Sequence, residues 1–384
     1  MNMNEHNLMR KNRGVGLIEV MISVIIAMLL VLVIYQVYEI SEGQKRTITG
    51  GSDAQQNASY GMYVLGRDLA MAGNGIASSA TALAACPFDA DNPGPWLSPV
   101  PVVINSGASG ADPDTITVLY GGSSSLSTPV PFRNDPAPGG RYDVPGPVGF
   151  SENDVIVAVR GAKCAVSTIN VGGVQVDATG VAMITHTLKS GDVGETYTRA
   201  NGASLVNLGQ QKSMGRITYS VPAECNDKTK PDPAACSLRT QNRLPTDGPV
   251  VPVISDVVNV KAQYGIGTDT NADGIPDTIT SWEDSDGTWW QGILALAPTD
   301  PNRLQQLRRL LAVRIAIVTR STQCELDKLT HECIVLTPGP LPIFEKIFED
   351  KDKVEMKLAG DQQHYRYKVL STVVPLRNAL WNSQ

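Results

Sequence analysis

The chain has 384 residues, 42% of them hydrophobic, and carries 32 Lys and Arg against 38 Asp and Glu, a net charge of −6. That is enough apolar material for one large domain or two average ones. The mild acidity and the absence of a compact basic patch exclude the electrostatic footprint of a nucleic-acid-binding protein.

The chain begins with a short leader, Met1 to Gly14, in which Arg10, Lys11 and Arg13 crowd towards the end. The 21 residues from Val15 to Tyr35 then hold a single formal charge, Glu19. Such a run, as a helix, is long enough to cross ~30 Å of hydrocarbon, and a span over about 15–38 is expected. The cationic leader would stay in the cytoplasm, leaving the rest of the chain outside the membrane. An ordinary cleaved signal peptide fits worse, because its apolar region would be shorter and end in small residues.

Glu19 needs a physical explanation. A carboxylate at the centre of a spanning helix costs about 2.5–3.5 kcal/mol on insertion scales. No Lys, Arg or His lies between Val15 and Ser41 to offset it. A cut after Gly14 would free the α-amine of Val15, four residues away, and on a neighbouring copy that amine could meet Glu19 as helices stack.

Beyond Tyr35 the helical pattern weakens at Gly43, Thr47, Thr49, Gly50 and Gly51, where a loosened turn is expected. It recovers with Met62, Leu65, Leu69 and Ala72 and stops at Gly73-Asn74-Gly75. One helix over 15–72 would be about 85 Å long if straight. From residue 75 to 384 the text turns to short β-like runs. These are Thr115–Tyr120, Val155–Val159, Val181–Thr187, Arg216–Val221, Val257–Tyr264, Ala312–Thr319 and Tyr365–Val374. Stretches 87–101 and 129–149 read as surface loops. A modest helix is expected over Asn302–Leu311, with Arg303, Arg308 and Arg309 forming a solvated face.

An early helix followed by many strands predicts an α+β fold, the helix lying on an antiparallel sheet. Residues from about 122 to 250 exceed what a minimal sheet of this kind needs and are expected to form a β-rich insertion.

The basic leader ending in Gly14, the carboxylate at the fifth position of the cut chain and the apolar helix resemble the prepilin signal of type IV pilins and pseudopilins. Further segments are similar to PilW-type minor pilins. They are Leu65–Gly73, Val260–Gly265, Val313–Ser321 and Val374–Asn378. The resemblance implies a type IV pilin-like fold, cleavage of Gly14–Val15 by prepilin peptidase, N-methylation of Val15 and docking guided by Glu19. One departure is Val15, where most members start the mature chain with Phe. The implied role is a non-enzymatic minor pilin that helps to initiate the filament and its tip. Its partners would be other minor pilins, the major pilin, the inner-membrane assembly platform and a large tip adhesin. It would sit in the inner membrane before assembly and on the cell surface afterwards. The alternatives are a J-type pseudopilin of type II secretion, or a membrane-anchored calcium-dependent binding module or hydrolase.

Six cysteines, Cys86, Cys164, Cys225, Cys236, Cys324 and Cys333, all follow the apolar run, so an oxidising compartment and three disulfides are expected. Cys225–Cys236, Cys324–Cys333 and Cys86–Cys164 are the expected pairs. The sequence also holds an acidic loop, Asp269 to Asp277. Asp269, Asn271, Asp273 and Asp277 supply oxygens at loop positions 1, 3, 5 and 9. Gly274 stands at the sharp turn, and the Ile275 carbonyl falls at position 7. The acid expected at position 12 is replaced by Thr280, so a weak calcium site is predicted, against a plain solvated turn as the other reading. Trp282, Trp289 and Trp290 follow and are read as core, against an exposed contact patch as the other reading. No nucleotide-binding loop, nucleophile elbow or His-Glu-x-x-His is present.

Overall fold

The computed structural model describes residues 16–76, 83, 100–109, 112–122, 128–133, 140–161, 163–191, 197–210, 212–226, 236–244, 248–297, 300–327, 330, 332–348 and 353–378. By their contacts the residues divide into two units, Met1–Gly50 and Gly51–Gln384.

Helix α1 spans Leu17–Met71. Gly50 and Gly51 are helical like their neighbours, so the loosened turn expected there is not seen. In the first unit the apolar residues have no protein to pack against: Leu17 is 82% exposed, and Val20, Ile25, Leu29 and Ile34 are all exposed. A helix that is hydrophobic on every side and covered on none is suited to lipid.

In the second unit the helix shows the opposite pattern. Ala54, Ala58, Leu65 and Leu69 are buried along one stripe, with Gly61 between them. The small residues come first and let the helix lie close to the sheet. A Cβ on Gly61 would stand 2.9 Å from Ile317 Cδ1 and 3.0 Å from Ile254 Cδ1. Thr319 Oγ1 donates to the Ala54 carbonyl at 2.8 Å, a side-chain bond from the sheet into the helix backbone. The helix ends where Gly73 and Gly75 take φ of 79° and 70°, and the Gly73 amide donates to the Leu119 carbonyl.

The first half of the remaining chain holds β1 (Val102–Asn105), β2 (Thr115–Tyr120), β3 (Val130–Pro131), β4 (Arg141–Val144), β5 (Asp154–Arg160), β6 (Lys163–Val176), β7 (Ala182–Gly191) and β8 (Ser204–Gln210). Then come β9 (Gly215–Ser220), β10 (Ser237–Asn242), β11 (Val251–Ser255), β12 (Val257–Thr268) and β13 (Thr278–Glu283). Helices α2 (Thr288–Ala295) and α3 (Pro301–Arg308) precede β14 (Leu310–Arg320), β15 (Leu341–Phe344), β16 (Val354–Met356) and β17 (Tyr367–Pro375).

The strands form sheets of order β1-β2-β9-β10-β11, β13-β12-β14-β17, β15-β16 and β3-β8-β5-β6-β7-β4. Every pairing between these strands is antiparallel. The fold is α+β, as expected.

One core joins the helix residues Val64, Leu65 and Leu69 to β12 and β14 (Val260, Ala262, Tyr264, Ile315, Ile317) and to Val102, Ile116 and Val118. The six-stranded sheet curls until its edges meet. Just past β3, the Arg133 amide donates to the Asp143 carbonyl of β4 at 2.7 Å. Its strand β5 is buried on both faces, so its pattern is nearly continuous rather than alternating. Val155, Val157 and Val159 pack with Leu119, Val206 and Leu208, whereas Ile156 and Ala158 pack with Phe132, Tyr142, Ile184 and Leu205.

Several sequence expectations need correction. Stretch 129–149 is not a plain surface loop, since it supplies β3 and β4. Stretch 122–250 contributes to two sheets: β3 to β8 make the curled one, while β9 and β10 pair into the sheet of β1 and β2. The expected helix over Asn302–Leu311 runs from Pro301 to Arg308, and Leu310 already opens β14. Arg303 is buried, at 3% exposure, and Arg309 Nε donates to the Gly267 carbonyl, so these arginines are not a solvated face. Helix α2, for which the sequence predicts no element, buries Trp289, Trp290 and Ile293.

Candidate functional site

The N-terminal site lies at the start of α1. Glu19 falls in the first turn, exposed, with its amide donating to the Gly16 carbonyl. A carboxylate there is favoured by the positive end of the helix dipole, whatever else it meets. Gly14 and Val15 lie outside the described residues. What the geometry offers is an uncovered apolar surface with one acid near its beginning.

At the other end of α1 a polar cluster fixes the helix on the domain. Asp68 is 3% exposed, its Oδ2 accepting from Tyr219 Oη at 2.6 Å and its Oδ1 from Arg67 Nη2 at 2.9 Å. Burial and the neighbouring carboxylate push the Tyr219 hydroxyl well above its usual range. This side chain is thus a committed donor, joining α1 to β9. Asn57 Nδ2 adds a bond to Asp256 Oδ2 at 3.3 Å.

The acidic loop joins β12 to β13, which is why it is held at both ends. Asp269 Oδ1 accepts from the Ala272 amide and its Oδ2 from the Gly274 amide, each at 2.7 Å. Asn271 Oδ1 accepts from Asp273, and Asp273 Oδ1 from Ile275. Ala272 and Gly274 sit at positive φ, 62° and 86°. Asp277 takes the Thr270 hydroxyl at 2.8 Å, and that hydroxyl bond, first among the causes, holds its carboxyl below the usual range. The carboxylates are turned to their own backbone, and no group of three or more His, Cys, Asp or Glu placed to hold a metal ion occurs among the described residues. The loop is a closed Asx-rich turn whose remaining oxygen lone pairs face solvent.

Two disulfides join Cys225 to Cys236 and Cys324 to Cys333, as expected. Cys164 is also in a disulfide, while Cys86, which the sequence paired with it, lies outside the described residues. Trp282, Trp289 and Trp290 are buried, and the last two flank Tyr264 with ring centroids 5.2 and 5.4 Å away.

Two features escaped the sequence reading. Arg314 lies between the rings of Trp282 and Phe344, 5.0 and 4.6 Å from their centroids, and donates to Gln263 Oε1 at 2.6 Å. His186 stacks on Tyr142 at 3.9 Å, and burial pushes its imidazole down to about 4. Neither residue carries a local motif; each is assembled from strands far apart in the chain.

Residues 9–35 match the prokaryotic N-terminal methylation motif. Residues 234–378 match the family of PilW, type IV pilus-assembly protein W. The chain carries a PilW-type domain behind a prepilin signal. No curated protein matches it, and no solved structure does. The PilW match begins just before β10 and ends just after β17, so it takes in the whole of the four-stranded sheet. It covers the segments around Val260, Val313 and Val374 that suggested PilW, and leaves the curled sheet outside. The methylation motif on the apolar helix and the PilW match support a membrane-anchored, type IV pilus-related pilin, later in the pilus.

Proposed function

We propose that this PilW-type chain is a minor pilin that helps to initiate the filament and build its tip. In this reading prepilin peptidase cuts Gly14–Val15, Val15 is N-methylated, and Glu19 meets the Val15 amine of a neighbouring subunit. Helix packing joins the chain to other minor pilins and the major pilin on the assembly platform. The β-rich domain then chooses partners, among them a large tip adhesin. The observation that carries the reading is the apolar half of α1, uncovered on every side, in a chain whose sheet matches PilW. A helix of that kind is unstable in water and needs lipid first and other helices afterwards.

The experiment is N-terminal mass analysis of the protein recovered from sheared filaments. A methylated Val15 at the start of the chain is expected. Recovery only from membranes, with Met1 still attached, would overturn the proposal.

Calcium in the Asp269–Asp277 loop is a separate proposal, supported by the oxygen spacing. Calorimetric titration at about millimolar calcium should give binding heat for the full chain in detergent and none for Asp273→Ala. No heat with the unaltered protein would remove calcium from the account.

A further inference from the structure

Lys261 and Asp114 meet inside the protein, Nζ to Oδ1 at 2.7 Å, with side chains only 6% and 2% exposed. Lys261 is on β12, between Val260 and Ala262, which belong to the helix-side core. By strand alternation its side chain leaves the opposite face. Asp114 ends the β1–β2 connection, and its amide donates to the Val260 carbonyl, locking it beside the strand.

Each carboxylate oxygen of Asp114 also has a backbone donor. The Gly107 amide reaches Oδ1 and the Ala262 amide reaches Oδ2, both at 2.9 Å. Lys261 Nζ has a second acceptor in the Ser109 carbonyl at 3.2 Å. A third acid, Asp284, stands just after β13, half-buried and coupled electrostatically to both Asp114 and Lys261. Burial, in each case first among the causes, raises the carboxyls of Asp114 and Asp284 above the usual range.

An ion pair taken out of water gains little over its desolvation cost. The same arrangement, however, has what an amide condensation requires: an amine and a carboxyl in contact, donors on both carboxyl oxygens, and a further acid. We propose that Lys261 and Asp114 condense to an intramolecular isopeptide bond, with Asp284 carrying the proton.

The step balances without any co-reactant. A proton crosses from the Lys261 ammonium to the Asp114 carboxylate, leaving neutral amine and neutral acid. The Nζ lone pair then forms a bond to Cγ, and the amides of Gly107 and Ala262 hold the charge that develops on oxygen. Asp284 passes its proton to the departing hydroxyl and takes up the one that Nζ gives up, so it ends as it began, and the Cγ–O bond breaks with loss of one water. Nothing is oxidised or reduced. Contact between the groups replaces a bimolecular encounter, which supplies a large effective concentration. The product would tie residues separated by 147 positions, binding the β1–β2 connection to the four-stranded sheet. None of this depends on the pilus role.

Tryptic mapping of the full-length chain, purified in detergent and reduced, tests the bond. Trypsin should fail to cut after Lys261, and a branched peptide joining Lys261 to Asp114 should appear one water lighter than its two parts. Normal cleavage at Lys261, with both peptides at their unmodified masses, would overturn the proposal. On a reduced denaturing gel the unaltered chain should run ahead of Lys261→Arg, which keeps the charge but cannot close the bond. Equal mobility counts against it. Asp284→Asn leaves both reacting groups in place and should slow closure by about a hundredfold or more in freshly made protein. An unchanged rate would deny Asp284 its part in the proposed step.

Discussion

Tyr219 and Asp68 lie 151 positions apart, yet their 2.6 Å hydrogen bond sits inside the core where no water can replace it. Tyr219→Phe keeps the ring and removes only the donor to a buried carboxylate. It should cost about 1–3 kcal/mol of stability, measured by denaturant unfolding of the detergent-purified chain. His186 gives a second residue-scale expectation. Burial lowers its imidazole from 6.5 to about 4, so the folded protein resists the proton that the unfolded chain accepts. As pH falls through 6.5 the unfolded state protonates first, and stability drops until the folded state follows near pH 4. His186→Phe keeps a ring against Tyr142 and should flatten the slope of unfolding free energy across that window. Neither partnership has a local sequence signal, because a lone Tyr, Asp or His reads the same in a core as on a surface.

At the scale of elements, the C-terminal half of α1 was legible because its stripe has helical spacing. Leu65 and Leu69 are fully buried, as that spacing predicted. Gly61 was not legible, since a glycine in a helical run looks like a weakness rather than a contact. The structure gives it a use, since two isoleucine methyls stand within 3.0 Å of where a Cβ would be. Gly61→Leu should therefore push the helix off β14 and cost about 1–3 kcal/mol from overpacking, seen as a lower midpoint of unfolding. The core strands β2, β5, β12 and β14 stood out through their branched residues. Strand β6 did not, because Asn170, Gly172 and Gly173 interrupt its pattern where the register against β7 shifts between Ile169 and Val174. The arginines of α3 were misread for a related reason. Composition marks Arg as exposed, while Arg309 is held by the Gly267 carbonyl of the neighbouring strand β12.

For the molecule as a whole, the prepilin signal makes a prediction about processing. Gly14→Ala should leave the chain at its full length in cells with an active prepilin peptidase, whereas the unaltered chain shortens by the leader; a gel or intact mass of the membrane fraction reads the difference. The expectation is local, resting on a few residues around one bond, and so is the anchor. Twenty-one residues without a counter-charge determine a lipid-seeking helix before any tertiary structure exists, because the cost of charge in hydrocarbon depends on the segment alone. The same holds for the α+β class, which follows from periodicity. The tertiary structure decided what lies between distant segments: the curling of six strands until Arg133 meets Asp143, the division of stretch 122–250 between two sheets, and the meeting of Lys261 with Asp114. Such contacts are fixed by how sheets twist and which faces find cover, and energies of that kind are shared among many residues rather than written in any one of them.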